Sequence, residues 1–328
     1  METVIVTWWT WYIWSHIVDK FLKAGYEVAI VDDLSNSNEN IINNIVKSTW
    51  YFPDFYQVDL QNKSALERVF TLYDNIVWVV HSASSKDASI NKDMFSYYDN
   101  NIFGTINLLK VMDKFNIKNL VYASSYDVYN LNLSAPFLED SKLLSHNPYW
   151  TSKISTEYIL NDIYHKKWFN ILSLRLFEVI WNNKDWYFWE DLSLMNNTIL
   201  WNIIWNILWI KTDVSSVSSS ADKLILDFVH VEDVAEAFYL SFEKLKSENV
   251  WFEIINIWTW SWHSLSQVLD IISEFSSNKP DIIFSWEIES FVSYADVSKA
   301  KNLLWWSAKN SIKQWLKDSW EYINKHFN

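Results

Sequence analysis

Tyr149 and Lys153 sit four residues apart in the stretch P-Y-W-T-S-K-I-S-T-E, so on a helix they share one face. A lysine ammonium beside a phenol lowers the phenol's pKa, and a phenolate poised near neutrality can act as a general base on a hydroxyl. Alone, a tyrosine and a lysine at this spacing are common on helix surfaces. This pair acquires weight from what precedes it. The string S-S-Y-D-V-Y lies upstream, with Ser125 placed 24 residues before Tyr149. Farther back, Thr3 to His16, TVIVTWWTWYIWSH, reads as a β-branched strand, a turn and the start of a helix. That is the layout that offers free backbone N–H groups and a positive helix end to a phosphate.

These residues need a scaffold, and the chain supplies one. Strands are predicted at Val4–Thr7, Glu27–Val31, Asp54–Val58, Ile76–Val80, Asn119–Ala123 and Ile171–Leu176, with helical stretches such as Ser15–Ala24 and Tyr98–Phe115 between them. Such alternation predicts an α/β fold, a doubly wound parallel sheet of the Rossmann type covered on both faces. After about residue 177 the pattern loosens. The expectation is a dinucleotide-binding domain over 1–176 and a smaller C-terminal α/β substrate-binding part over 177–328, with the chain crossing back near 228–240. Phe228–Val231 and Glu253–Ile257 read as later strands, and DVSSVSSSAD, Asp213–Asp222, as an exposed loop.

The second strand ends in Asp32–Asp33, about 20 residues past the turn, where a carboxylate accepts hydrogen bonds from an adenosine ribose and repels a 2′-phosphate. NAD is therefore favoured over NADP. The whole chain carries a net charge of −13, which argues against nucleic acid or an anionic membrane as partner. It has no cysteine, which excludes disulfides and thiolate metal sites and fits a reducing cytoplasm; no metal is expected. No signal peptide is visible, and the longest apolar run, Thr198 to Ile210, is interrupted by Asn202 and Asn206 and too short to span a bilayer.

One feature conflicts with the phosphate-binding reading. A dinucleotide turn needs glycine for a tight bend and for close approach of backbone to pyrophosphate, and this chain prints tryptophan there. It contains 2 glycines and 23 tryptophans, together 25 of 328 residues, which is an ordinary glycine content of roughly 7%. The expectation is that most of these tryptophans stand for glycine, through a UGA codon that some bacterial lineages read as glycine. Trp306 in LLWW and Trp320 in KDSWEYI read as true aromatic positions.

With glycine at positions 8, 9, 11 and 14 the opening becomes T-G-G-T-G-Y-I-G-S-H. It then resembles the T-G-x-x-G-x-x-G turn of the extended short-chain dehydrogenase/reductase superfamily, the NAD-dependent epimerases and dehydratases. With Trp150 read as glycine, the Tyr149–Lys153 segment resembles that family's P-Y-G-x-S-K-x-x-x-E signature. H-S-A-S-S-K, Y-Y-D-N-N-I-F-G-T, W-E-D at Trp189–Asp191, DFVHVED at Asp227–Asp233, NIWTWSWH at Asn256–His263 and Y-A-D-V-S-K-A at Tyr294–Ala300 are similar to further motifs of its UDP-glucose 4-epimerase branch. The likeness thus runs along essentially the whole chain. It implies a catalytic set of Tyr149, Lys153 and Ser125, with Ser124 as the fallback. It implies NAD contacts from Trp8, Trp11, Tyr12, Ile13, Trp14, Asp32, Asp33, Asn36, Ser37, Asp59, Leu60, Ser82, Ala83, Lys86 and Phe177, with Asn100 near the nicotinamide side. Substrate contacts would come from Ser125, Glu178, Asn197 and Glu289. The expected partner is a nucleotide-sugar, and the family's habit is a homodimer.

The departures fall on substrate binding. The arginine that precedes the family's D-[YF]-[IV]-H-V is Leu226 here, and a second arginine near Ser285–Glu287 is also missing, so the only arginines are Arg68 and Arg175. A bidentate fork on a diphosphate is not replaced by a point charge. Where the family has asparagine, this chain has Glu178, which would repel a diphosphate unless it points away. The expected function is NAD-dependent 4-epimerisation of a nucleotide sugar through a 4-keto intermediate, most simply UDP-glucose and UDP-galactose. The alternatives are a dehydratase or reductase of the same superfamily and an NAD-binding regulatory protein without chemistry.

Overall fold

The computed structural model describes residues 1–7, 11–35, 40–84, 93–180, 223–247, 252–275 and 291–327. A seven-stranded sheet forms the centre, in the order β3-β2-β1-β4-β5-β6-β9. Its strands are β1 (Thr3–Thr7), β2 (Glu27–Asp32), β3 (Asp54–Gln57), β4 (Ile76–His81), β5 (Asn119–Ser125), β6 (Asn170–Leu176) and β9 (Phe252–Ile257). Every neighbouring pair in it is parallel. β1 is buried along its whole length, as expected of a continuous apolar run covered on both faces. All six strands expected in the first half are present.

Helices cover both faces. On one, α1 (Trp11–Lys23) packs Ile17 and Phe21 against Phe238 and Phe242 of α7 (Val231–Ser247). On the other, α3 (Lys63–Phe70), α5 (Gly104–Lys114) and α6 (Pro148–Lys167) bury Leu66, Phe70, Leu108, Met112 and Leu160 against the sheet. α2 (Asn40–Thr49) follows β2. After β8 (Leu224–His230), α7 lies on α1, and β9 adds to the far edge of the large sheet beside β6. The smaller sheet is built around β8, which pairs with β7 (Glu178–Ile180), β10 (Trp262–Ser264) and β11 (Phe291–Ser293). α8 (Leu265–Ser273) and α9 (Ile312–Phe327) complete this part.

The stretch Tyr98–Phe115 is not one regular helix. α4 (Met94–Tyr98) runs into a π-helical turn, Asp99–Phe103, before α5 begins at Gly104. A Cβ at Gly104 would stand 3.2 Å from the Cβ of Leu60, so glycine lets this helix approach the loop after β3.

Backbone handedness singles out particular tryptophans. Among the described residues, six other than glycine have positive φ: Leu34, Trp50, Asn116, Trp168, Trp260 and Trp305. Four of the six are tryptophan, a bulky residue that the left-handed region disfavours and that a glycine would replace without strain. Trp168 closes α6, and Trp305 closes the π-helical turn Ala300–Leu304, the position after a helix where glycine is the usual residue. Trp50, Trp168 and Trp305 are also exposed. Trp306 is the opposite case: its indole is buried and donates to the Asp233 carbonyl at 2.8 Å.

Candidate functional site

The candidate residues converge on the carboxyl ends of the parallel strands, where open α/β sheets bind ligands. α6 carries the proton-transfer pair. Its start is fixed by Asn147, whose side chain accepts from the Trp150 N–H at 2.8 Å, and by Pro148 in the first turn. Lys153 is buried, and its Nζ donates to the Ala123 carbonyl at 2.8 Å, which ties the ammonium to β5. The same ammonium lies 5.9 Å from the centroid of the Tyr149 ring and 4.9 Å from that of Tyr122.

The two candidate serines differ in their contacts. Ser124 is committed to structure, donating to Glu157 Oε1 at 2.6 Å. Ser125 stands at the strand end and caps the 3-10 turn Tyr126–Val128, its hydroxyl donating to Asp127 Oδ2 at 3.0 Å. Glu157 extends the Tyr149–Lys153 helix by one more turn and pairs in bidentate fashion with Arg175, at 2.7 and 3.0 Å, with both groups buried. Sequence reading identified Glu157 only as a signature letter. Its spacing from Lys153 was the available signal for a third polar group on that helix.

A second set of contacts ties the opening strand to the same helix. Thr7 Oγ1 and Thr105 Oγ1 each lie 2.7 Å from a ring nitrogen of the buried His81. Thr105 donates to the Asn101 carbonyl, so its oxygen accepts from Nε2–H, and Thr7 donates to Nδ1. Asn101 in turn donates to Ser152 Oγ at 2.8 Å, and Ser152 donates to the Tyr149 carbonyl at 2.6 Å. Burial, with a smaller contribution from Lys153, pulls the His81 pKa down to about 3. The imidazole is therefore neutral in the fold. Its stabilisation is complete above the unfolded value near 6.5 and is lost as pH falls from there toward the folded value. At about pH 5.5 the expected loss is about 1.4 kcal/mol from this group. His16, also buried with a pKa near 3, adds a similar loss. Urea unfolding between about pH 7.5 and 5.5 should show a shallower pH dependence in His81→Asn than in the parent. Equal slopes would mean that His81 is not held neutral.

The other half of the site is a cleft lined by Asp32, Asp33, Asp59, Leu60, Ala83, Ser84 and Asn100. Asp32 is buried at the end of β2, with Oδ1 accepting from the Leu34 N–H at 2.6 Å, while Asp33 and Asp59 each accept from a backbone N–H two residues on. Ser82 donates to the Thr7 carbonyl, holding the end of β4 to that of β1. Asn100, expected near the nicotinamide side, lies in this cleft with the ribose-binding candidates, its Oδ1 accepting from Gln61. Among the described residues this lining has carboxylates and no lysine or arginine, which fits an adenosine ribose without a 2′-phosphate.

Trp11 opens α1, Ile13 is half-buried, and Trp14 is buried with its ring edge-on to Phe238. Phe177 is buried and stacks on Tyr126. The Trp258 ring centroid lies 2.9 Å from that of Phe177, shorter than the 4.5–7 Å of aromatic pairs, and its buried indole N–H has no hydrogen-bond partner among the described residues. Glu178 accepts from the Tyr126 hydroxyl at 2.7 Å. Trp8, Asn36, Ser37, Lys86, Asn197 and Glu289 lie outside the described residues, as do the runs 198–210 and 213–222, and nothing is described of the Tyr12 side chain. Among the described residues no cluster of His, Asp and Glu is placed to hold a metal, and no helix is long and apolar enough to cross a membrane.

Comparison with known proteins gives a consistent result. The model of the NAD dependent epimerase/dehydratase family matches residues 4–257. A UDP-glucose 4-epimerase of Cyamopsis tetragonoloba is 30% identical, over 99% of this chain and 96% of that protein. Among solved structures, the UDP-glucose 4-epimerase of Bifidobacterium longum in complex with NAD+ and UDP superposes with a TM-score of 0.82 at 26% identity, covering 99% of each chain. The fold of a UDP-glucose 4-epimerase from Stenotrophomonas maltophila, with bound NAD and formylated UDP-arabinopyranose, matches with a TM-score of 0.87 at 24% identity over 99% of this chain and 98% of that one.

Proposed function

The chain belongs to the NAD dependent epimerase/dehydratase family, and on that premise we propose how it works as an NAD-dependent nucleotide-sugar 4-epimerase, with UDP-glucose and UDP-galactose as the interconverted pair. The observation that carries the mechanism is the buried Lys153 ammonium beside Tyr149, at the strand ends that also hold Ser125. NAD, when bound, supplies an acceptor for the hydride of the sugar C4 and the donor that returns it. Asp32 would hold its adenosine ribose, with Asp33, Asp59 and Leu60 beside it, and Ser82, Ala83 and Phe177 would line its course.

The chain's own residues manage the proton. Lys153 favours the phenolate of Tyr149 by charge, and Tyr149 then takes the proton of the 4-hydroxyl. Ser125 holds that oxygen by a hydrogen bond and keeps it directed at Tyr149 while the carbonyl forms. The 4-keto sugar turns in the cleft, and Tyr149 gives the proton back after hydride has returned to the other face. The sum is inversion at C4 with no net oxidation. The test is conversion of UDP-galactose to UDP-glucose without added reductant. Steady consumption of added NADH instead would identify a reductase.

The mechanism needs bare backbone at the opening turn, and the reading includes tryptophans that stand for glycine at 8, 9, 11, 14, 50, 168, 258, 260 and 305. Support comes from the left-handed backbone at four of these and from the overlap of Trp258 with Phe177. Trp306, hydrogen-bonded through its indole, stays a tryptophan. The reading also places the protein in the cytoplasm as a homodimer. Phe95, Phe103 and Tyr158, exposed on α4, the π-helical turn and α6, offer an aromatic face for the second copy. Sedimentation at the monomer mass at micromolar concentration would remove the dimer.

A further inference from the structure

The loop after β3, residues 59–62, supplies one wall of the cleft that fits the adenosine ribose, with Asp59 and Leu60 in the lining. Its internal bonds are local. Asp59 Oδ1 accepts from the Gln61 N–H at 2.8 Å, and the Asp59 carbonyl accepts from the Asn62 N–H at 2.9 Å. Three further contacts come from the helical segment that packs against it. Asn100, Gly104 and Asn107, spaced four and three residues apart, fall along one stripe of that segment, and all three meet the loop. Gln61 Nε2 donates to Asn100 Oδ1 at 2.6 Å. At Gly104 a Cβ would crowd that of Leu60 at 3.2 Å, so bare backbone sets how closely the two dock. Asn107 is buried, and its Nδ2 donates to the carbonyls of Leu60 and Gln61, at 3.1 Å each. The Gln61 carbonyl has a second donor in the Lys63 N–H, but among the described residues Asn107 is the one donor to the Leu60 carbonyl. A buried carbonyl stripped of its donor opposes the conformation that buries it.

We propose that Asn107 and Gln61 are positioning residues for the cofactor: they hold the loop backbone so that Asp59 and Leu60 keep the wall against which the adenosine half of NAD binds. Neither residue lines the cleft, so each acts through the loop and not by touching NAD. This rests on the reading of that cleft as the adenosine site. The pair bears on how tightly NAD is held, whereas proton transfer belongs to Tyr149 and Lys153 on α6.

The experiment uses the full chain with glycine at the opening turn, freed of bound cofactor and titrated calorimetrically with NAD and, separately, with UDP. Asn107→Leu removes the donor and keeps the volume, and it should raise the NAD Kd by about tenfold. The UDP Kd, and kcat at saturating NAD, should stay within about twofold. Gln61→Ala, at an exposed bond, should raise the NAD Kd by about threefold with the same two controls unmoved. Asp32→Asn tests the cleft itself, because it removes the carboxylate assigned to the ribose. If Asp32→Asn weakens NAD while Asn107→Leu leaves its Kd within twofold, the proposal is overturned and the cleft reading stands. If neither variant weakens NAD, the cleft reading fails and takes the proposal with it. Equal losses of NAD and UDP affinity in Asn107→Leu would also overturn it, since they would mark a general loosening of the fold. Should Asn107→Leu not fold, Gln61→Ala decides: a selective rise in the NAD Kd supports the clasp, and an unchanged value removes it.

Discussion

Replacing Tyr149 by phenylalanine is expected to lower kcat by about 10^3-fold or more, at the upper part of the usual range for a positioned acid–base group. The substitution removes one oxygen and leaves the ring that packs above Lys153. NAD affinity should hold, because the residues assigned to its ribose, Asp32, Asp33 and Asp59, lie in a separate cleft. KM should change little, since the lost contact forms fully only as the proton moves. The measurement is turnover of UDP-galactose together with NAD content by absorbance. A variant that retains activity within tenfold would remove Tyr149 from the mechanism. Loss of NAD along with activity would mean that the tyrosine supports the fold of the site instead.

The opening turn should show the second large effect. A chain produced with glycine at 8, 9, 11 and 14 should retain NAD through purification, and the chain produced with tryptophan there should not. Hydrogen bonds from backbone N–H groups to a charged phosphate are each worth about 1.5–3 kcal/mol. Denying two of them by steric exclusion costs about 3–6 kcal/mol, roughly 10^2- to 10^4-fold in Kd. Calorimetry on the two proteins reads this directly. Equal NAD affinity would show that the indoles leave the phosphate cradle open, and the glycine reading would then lose its functional reason. Peptide masses from the native source at positions 50, 168 and 305 test the same reading apart from any cofactor.

Much of the large sheet was legible because buried parallel strands announce themselves as unbroken β-branched runs. TVIVT and EVAIVD need no partner information to be recognised. The pair Tyr149–Lys153 was legible because both members lie on one helix, so spacing alone puts them on one face. Contacts across the sheet were not. Arg175 reads as the end of a strand, and only the register of β5 against β6 brings it to Glu157 and Ser124. Tyr126 and Glu178 were hidden for the same reason, 52 residues apart in the chain and 2.7 Å apart in space. The break within the expected helix Tyr98–Phe115 was not legible, because one π-helical turn adds a residue to the helical repeat and hydrophobic periodicity does not register a single inserted position. The tryptophans invert the usual order. Composition raised the suspicion and the LLWW context already set Trp306 apart; the backbone agrees, with Trp305 in left-handed conformation and its neighbour Trp306 buried and hydrogen-bonded.

The far edge of the sheet has a bearing on how the protein is made. β9, which completes the sheet beside β6, begins 76 residues after that strand ends, at Phe252 against Leu176. While the polypeptide is still growing from the ribosome, β6 is an unpaired apolar border, and α1 lacks the helix that will cover it. Such a border recruits strands from other chains. A fragment ending near residue 176 is therefore an aggregation-prone half, and the dinucleotide cleft of a nascent chain is not secured until the segment through Ile257 has emerged.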